Sequence, residues 1–380
     1  MGNSNERTEI DTFKNNYEKR AMDLGERYGK VKFYSKKNNP NEIIMTKDYW
    51  TNNLDESTSY DEMVEVRKDI SHENLAKCYV HDVSQENQFF TEFYKHSTAH
   101  EYHDHNLYKE IAARKKTEPE TEFSENEVWY YANAMVDLDD HLKENSLGTP
   151  HGDLQPKTLM LSEEGNVKVM DNAIVTNKDA YQKCNFNDDY FAPIAPELLP
   201  DLQKNKVNPD NIYSDKQEVW AIGLTALSAA SNNYPEDYYD WDKKEYNRAK
   251  IDEDLEGLEG RKSPEQIMFI RKCLEHDPED RWGLSEANEF LKPYKGLARS
   301  KRLNFMNRKV EQTNELEGGD FFENDNLAIR EVVVDTGVDE VPMTDEIGGN
   351  DFFDDDALVH RDVVRDEGIK TYGQGGDNFF

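Results

Sequence analysis

The chain has 380 residues, enough for one large domain plus extra segments. With 79 Asp and Glu against 46 Lys and Arg, its net charge of −33 excludes nucleic acid as a partner and leaves at most weak membrane association, because phosphates are repelled. Cys78, Cys184 and Cys273 are too scattered for a disulfide framework or a metal pair, and no apolar run spans a bilayer, so a cytoplasmic protein with no transmembrane segment is expected.

Residues 1–20 read as a polar extension with a loose helical pattern. Met1-Gly2 begins like an acylation site, but Glu6 stands where Ser or Thr is wanted, which favours an unmodified start. Residues 21–105 read as short strands with one helix, and helical patterns dominate 106–295. His96, His100, His103 and His105 fall at spacings that put three imidazoles near one helix face. A solvated helix is the favoured reading there, with a zinc site as the alternative.

Further on, Val128, Tyr131, Ala132, Met135, Leu138 and Leu142 mark an amphipathic helix that stops near Gly148 and Pro150. Leu159 and Leu161 with Val167 and Val169 alternate around Glu164-Gly165-Asn166, the pattern of a β-hairpin. The run from Val219 to Leu227 is apolar all round, so it predicts a helix buried on every side.

Asp153 and Asp171 flank the hairpin. Two aspartates so placed can face one site, one accepting a hydroxyl proton and one holding Mg²⁺, which is the layout of phosphoryl transfer. The segment His151-Gly152-Asp153-Leu154-Gln155-Pro156-Lys157-Thr158 followed by Asp171-Asn172-Ala173 resembles the HRDLKPEN loop and DFG motif of eukaryotic protein kinases. Ala195-Pro196-Glu197, Glu218-Val219-Trp220-Ala221-Ile222-Gly223 and the stretch from Cys273 to Arg281 resemble that family's APE, DVWSLG and CLxxDPxxR motifs, in the same order.

The resemblance implies an α+β bilobal fold, with a small β-rich N-lobe over 21–105 and a larger, mainly helical C-lobe over 106–295. It also implies that Glu197 pairs with Arg281 and that Trp220 is structural. Leu24-Gly25-Glu26-Arg27-Tyr28-Gly29-Lys30-Val31 resembles the glycine-rich loop without its middle glycine, so Gly25, Gly29 and Val31 are the implied nucleotide contacts. Ile44-Met45-Thr46-Lys47 resembles VAIK, which makes Lys47 the phosphate-binding lysine. The family's helix glutamate falls on Met63, or on Glu62 if one residue is inserted. ATP and Mg²⁺ are the implied cofactors, with Asp153 as the catalytic aspartate and Asp171 as the metal ligand.

The departures weigh against turnover. Gly152 replaces the loop arginine, Gln155 the phosphate-neutralising lysine, Thr158 the asparagine of the second Mg²⁺, and Ala173 the DFG glycine. Losing one such donor commonly costs about a hundredfold in rate. The expected function is therefore a pseudokinase that scaffolds protein partners, with nucleotide binding left open. The alternatives are a divergent but active Ser/Thr kinase, or an adaptor with a vestigial kinase fold. The His-Gly-Asp triplet also resembles small-molecule phosphotransferases, a reading that Ala195-Pro196-Glu197, Trp220 and Arg281 disfavour.

Residues 296–315 form a basic linker, read as docking on the acidic chain itself rather than on a membrane or a calmodulin-like partner. Residues 316–380 carry 18 Asp or Glu against 4 Lys or Arg, too charged to fold compactly, and are expected to be a disordered acidic tail. Phe321-Phe322 recurs as Phe352-Phe353 and Phe379-Phe380, each after a Gly-Gly pair. Repeated aromatic pairs in an acidic tract read as linear motifs for a protein partner, and loosely resemble FFAT motifs.

Overall fold

The structure, a computed structural model, describes residues 9–22, 24, 28, 31–88, 91–145, 150–162, 164–171, 174, 191–204, 214–240, 243 and 245–295. Gly2, Gly25, Gly29, Ala173, Cys184, the linker from 296 on and the Phe-Phe tail lie outside these residues.

The first half is built on a five-stranded antiparallel sheet in the order β1-β2-β3-β5-β4: β1 Tyr17–Arg20, β2 Val31–Lys36, β3 Asn39–Thr51, β4 Cys78–Gln88 and β5 Thr91–Tyr102. The sheet takes in Tyr17–Arg20, read from sequence as the end of the extension. The short helix α1 (Glu9–Lys14) also belongs here, since the Ile10 amide donates to Asp82 at 2.6 Å and Ile10 packs with Val80 and Ala99. Helix α2 (Leu54–Asp69) is started by Asn53, whose side chain accepts from the amides of Asp55 and Glu56, two donors that a helix start would otherwise leave open. It buries Ser57, Tyr60, Val64 and Arg67.

The expected histidine helix is a strand. His96 and His100 lie in β5, buried between β3 and β4, while His103 and His105 follow it and meet Glu101 and Glu110 at 2.9 Å. Residues 96–100 are buried on both faces, so the strand lacks the in–out alternation that marks a half-covered one.

The second half is mainly helical: α3 Leu107–Lys115, α4 Glu125–Asn145, α5 Leu199–Gln203, α6 Asp215–Ser231, α7 Arg248–Gly257, α8 Pro264–Cys273 and α9 Leu284–Leu291. Strands β6 (Leu159–Leu161) and β7 (Val167–Val169) pair Leu159 with Val169, as the alternation predicts, and Gly165 takes φ +80° in the turn. Helix α6 is buried from Gln217 to Ala230. Its Gly223 is needed for close approach, because a Cβ there would stand 2.5 Å from Cys273 Cβ. The core around it joins Trp129, Leu138, Val169, Trp220, Leu227 and Phe269.

Candidate active site

The sheet register assembles the first part of the site. Val31 on β2 is paired with Lys47 on β3, which is paired with Thr98 on β5; Met45 is paired with His100. Partners directly across a sheet share a face, so these side chains line one surface. Lys47 is 5% exposed, and its Nζ donates to the Tyr28 carbonyl at 2.6 Å. His100 is buried; burial pulls its imidazole down to about 4, so it is neutral at physiological pH. Its Nε2 meets Thr98 Oγ1 at 2.8 Å.

The loop after α4 supplies the second part, and His151 staples it. The His151 amide donates to Asp139 Oδ1 at 2.7 Å. Its Nε2 lies 2.7 Å from the Met170 carbonyl, which can only accept, so Nε2 carries the proton and Nδ1 is free to accept the Asp153 amide at 3.2 Å. One buried ring thus ties Asp153 to the strand end that carries Asp171. The hairpin is in turn anchored by the segment after α2: Asn74 Nδ2 donates to the Val167 carbonyl at 3.0 Å, and the Ala76 amide to the Val169 carbonyl at 2.8 Å.

Asp153 is 2% exposed. Gln155 Nε2 donates to its Oδ1 at 2.6 Å and to the Phe191 carbonyl at 3.2 Å, so an uncharged amide ties the loop to the segment before Ala195. Thr158 Oγ1 faces the carbonyls of Asp153 at 2.7 Å and Gln155 at 3.0 Å, and accepts the Gln155 amide at 3.2 Å. A hydroxyl has one proton and two lone pairs, so this one is largely committed to holding the loop. Asp171 is 3% exposed, and Arg67 Nη1 on α2 stands 3.8 Å from its Oδ1. Arg67 Nη2 also donates to the Pro150 carbonyl at 3.3 Å. On the same helix Glu62 is exposed and Met63 packs in the small apolar cluster, so the charge that α2 buries is a cation.

The third part is a tie between segments. Arg281 donates through both terminal nitrogens to Glu197, at 2.8 and 2.9 Å; the arginine side chain is fully buried and the glutamate 26% exposed. The guanidinium also reaches the carbonyls of Glu275 and Lys216 and lies 5.1 Å over the Trp220 ring. Trp220 Nε1 donates to Tyr239 Oη at 3.1 Å.

Residues 20–291 match the protein kinase domain model. This chain belongs to the protein kinase family. It is similar to a hormonally up-regulated neu tumor-associated kinase homolog of Xenopus tropicalis, 26% identical over 188 residues, covering 48% of this chain and 24% of the relative. It is also similar to mitogen-activated protein kinase kinase 2 of Arabidopsis thaliana, 28% identical over 158 residues, or 38% of this chain and 40% of the relative. The human hormonally up-regulated neu tumor-associated kinase is 24% identical over 188 residues, covering 48% of this chain. The matches thus span only about a quarter to two fifths of the length of those relatives.

Within this kinase domain the register brings Val31 to Lys47, the stapled loop brings Asp153 to the hairpin that carries Asp171, and Glu197 and Arg281 meet elsewhere. Gly25 and Gly29 lie outside the described residues. Sequence reading missed two members of the site. The spacing of His100 groups it with its neighbouring histidines. Arg67 matches no family motif, but it continues the buried helical stripe of Tyr60 and Val64, and a charge in such a stripe is the signal that finds it. Among the described residues no helix is long and apolar enough to cross a membrane.

Proposed function

We propose that this kinase domain is a pseudokinase: it takes up nucleotide, transfers phosphate poorly or not at all, and works by holding protein partners. The observation that carries this reading is the pairing of Asp171 with Arg67 inside the buried site. A metal at Asp171 has to share that carboxylate with a guanidinium, and like charges close together in a dry site repel strongly.

Protein kinase domains in general bind ATP and Mg²⁺, and the residues here fit that pair in part. Lys47 is suited to the phosphates and Asp171 to one ion; Thr158, committed to the loop, is not suited to a second. Bound Mg-ATP would supply the phosphoryl group. Asp153 would accept a proton from an attacking hydroxyl, but the Gln155 amide already occupies its Oδ1 and brings no positive charge to the transferred group. Partner binding is assigned to the Phe-Phe repeats at Phe321-Phe322, Phe352-Phe353 and Phe379-Phe380.

The second reading, a divergent active kinase, is favoured by the intact triad of Lys47, Asp153 and Asp171 and by the His151 staple that fixes two of them. One experiment separates the two. Millimolar Mg-ATP should raise the melting temperature of the full chain, and Lys47→Ala should remove that rise, while radiolabelled autophosphorylation stays at background. Robust labelling that Asp171→Asn abolishes would establish the active kinase. No thermal response in either protein would leave an adaptor with a vestigial site.

A further inference from the structure

A second cluster of ligand-type side chains, built from other residues than the candidate active site, lies where α2 crosses β4 and β5. Asp61 comes from α2, His81 from β4 and His96 from β5, and one donor atom from each lies within 4.8 Å of the others. We propose that these three residues bind a divalent transition metal ion of the zinc type, which fastens α2 to the sheet.

The nitrogen geometry supports this. His81 Nε2 and His96 Nδ1 face each other at 3.2 Å. Two imidazoles on one tetrahedral zinc, each about 2.0–2.1 Å from the ion, place their nitrogens about 3.3–3.4 Å apart. The other nitrogen of each ring is already held as metal-ligating histidines usually are, by an outer oxygen. His81 Nδ1 lies 2.9 Å from Glu65 Oε1, and His96 Nε2 lies 2.8 Å from Ser57 Oγ. Both outer partners sit on α2, and both rings are buried.

The proton count also closes. Without metal, Glu65 can only accept, so His81 carries its proton on Nδ1 and its Nε2 accepts from His96 Nδ1–H, while Ser57 donates to His96 Nε2. With metal, the His96 proton moves to Nε2 and is donated to Ser57 Oγ, whose hydroxyl turns to accept. Both facing nitrogens then offer lone pairs, and no proton has to leave. Asp61 Oδ1 stands 3.7 Å from His81 Nδ1 on a side chain that is 46% exposed, so it has room to swing onto the ion. The same open side leaves a position for water. Two imidazoles and a carboxylate suit zinc better than the all-oxygen shell preferred by Mg²⁺ or Ca²⁺.

The test uses the full chain, stripped with EDTA and titrated with Zn²⁺ and with Co²⁺. The expected result is one ion per chain, the intense visible bands of four-coordinate cobalt, and their loss when zinc displaces it. At zinc about 100-fold above its dissociation constant, the melting temperature should rise by roughly 5–10 °C. Glu65→Gln, which changes the partner of the outer nitrogen of His81 and leaves the proposed ligands in place, should weaken binding about 10–100-fold. Asp61→Asn should weaken it further, and His276→Gln, far along the chain at Tyr246, should leave it unchanged. Asp61 and Glu65 are half-exposed, so both variants will fold even if a His96 variant does not. Absence of stoichiometric binding, or binding that survives Asp61→Asn and Glu65→Gln intact, overturns the site.

Discussion

Arg67 and Asp171 face each other at 3.8 Å in the interior, one on the helix that packs against the sheet and the other at the end of the hairpin that follows the His-Gly-Asp loop. Arg67→Met should take from the buried Asp171 carboxylate the cation that faces it and lower stability by about 3–5 kcal/mol. It should also remove the cation that competes with Mg²⁺. The increment that Mg²⁺ adds to the ATP-induced thermal shift is therefore expected to grow in the variant. An unchanged increment would mean that Arg67 does not guard the metal position.

The Glu197–Arg281 pair is asymmetric, and its variants should be too. Arg281 is fully buried and serves three carbonyls besides Glu197, whereas Glu197 is partly wet. Arg281→Ala strands all of them and should cost about 3–5 kcal/mol, while Glu197→Gln should cost about 1–3 kcal/mol. Urea unfolding of both proteins gives the order, and equal losses would contradict it.

Asp139 and Glu218 are neighbouring buried carboxyls beside the loop. Burial pushes Asp139 up to about 7, with the Asp215 charge adding to this and the His151 amide, Arg67 and Lys143 opposing; burial and then Asp139 push Glu218 up as well. A carboxyl whose folded pKa lies above its unfolded value contributes most below about pH 4, and that contribution is lost as pH rises through the folded value. Asp139→Asn keeps an oxygen for the His151 amide and removes the titration. Relative to this variant, the parent should lose on the order of 1–3 kcal/mol between pH 4 and pH 8, read from urea midpoints. A constant difference across that range would show that Asp139 stays ionised throughout.

Gly223 on α6 is a packing requirement. A methyl group there would press on Cys273 Cβ at 2.5 Å and on Leu274 Cγ at 3.0 Å, so α6 and α8 would have to separate. Gly223→Ala should cost about 1–3 kcal/mol despite its better helix propensity, seen as a lower melting temperature. A rise instead would mean that the two helices adjust freely.

The Phe-Phe repeats carry the partner-binding half of the proposal. A pull-down with the intact chain should recover proteins that are lost when Phe321, Phe322, Phe352, Phe353, Phe379 and Phe380 are all changed to Ala. A variant keeping one pair should bind an arrayed receptor ~10²–10⁴-fold less avidly than the intact chain. Identical recoveries from all three would remove the repeats from the account.

The sequence by itself determined the family and the bilobal plan, because these rest on local signals. The His151–Thr158 loop, the alternating strands of the hairpin, the apolar run from Val219 to Leu227 and the separate motifs that end in Glu197 and Arg281 are each legible within a few residues. The part of strand β5 that carries the histidines was not legible. Its polar residues His96, Ser97, Thr98 and His100 are buried by pairing with β3 and β4 and by cover from α2, and non-local pairing leaves no period in the segment itself. Arg67 at Asp171, and His81 at His96, were decided only by the tertiary structure. Each joins side chains from separate elements, and the field that a buried charge or imidazole meets depends on which neighbours the fold brings within a few ångströms.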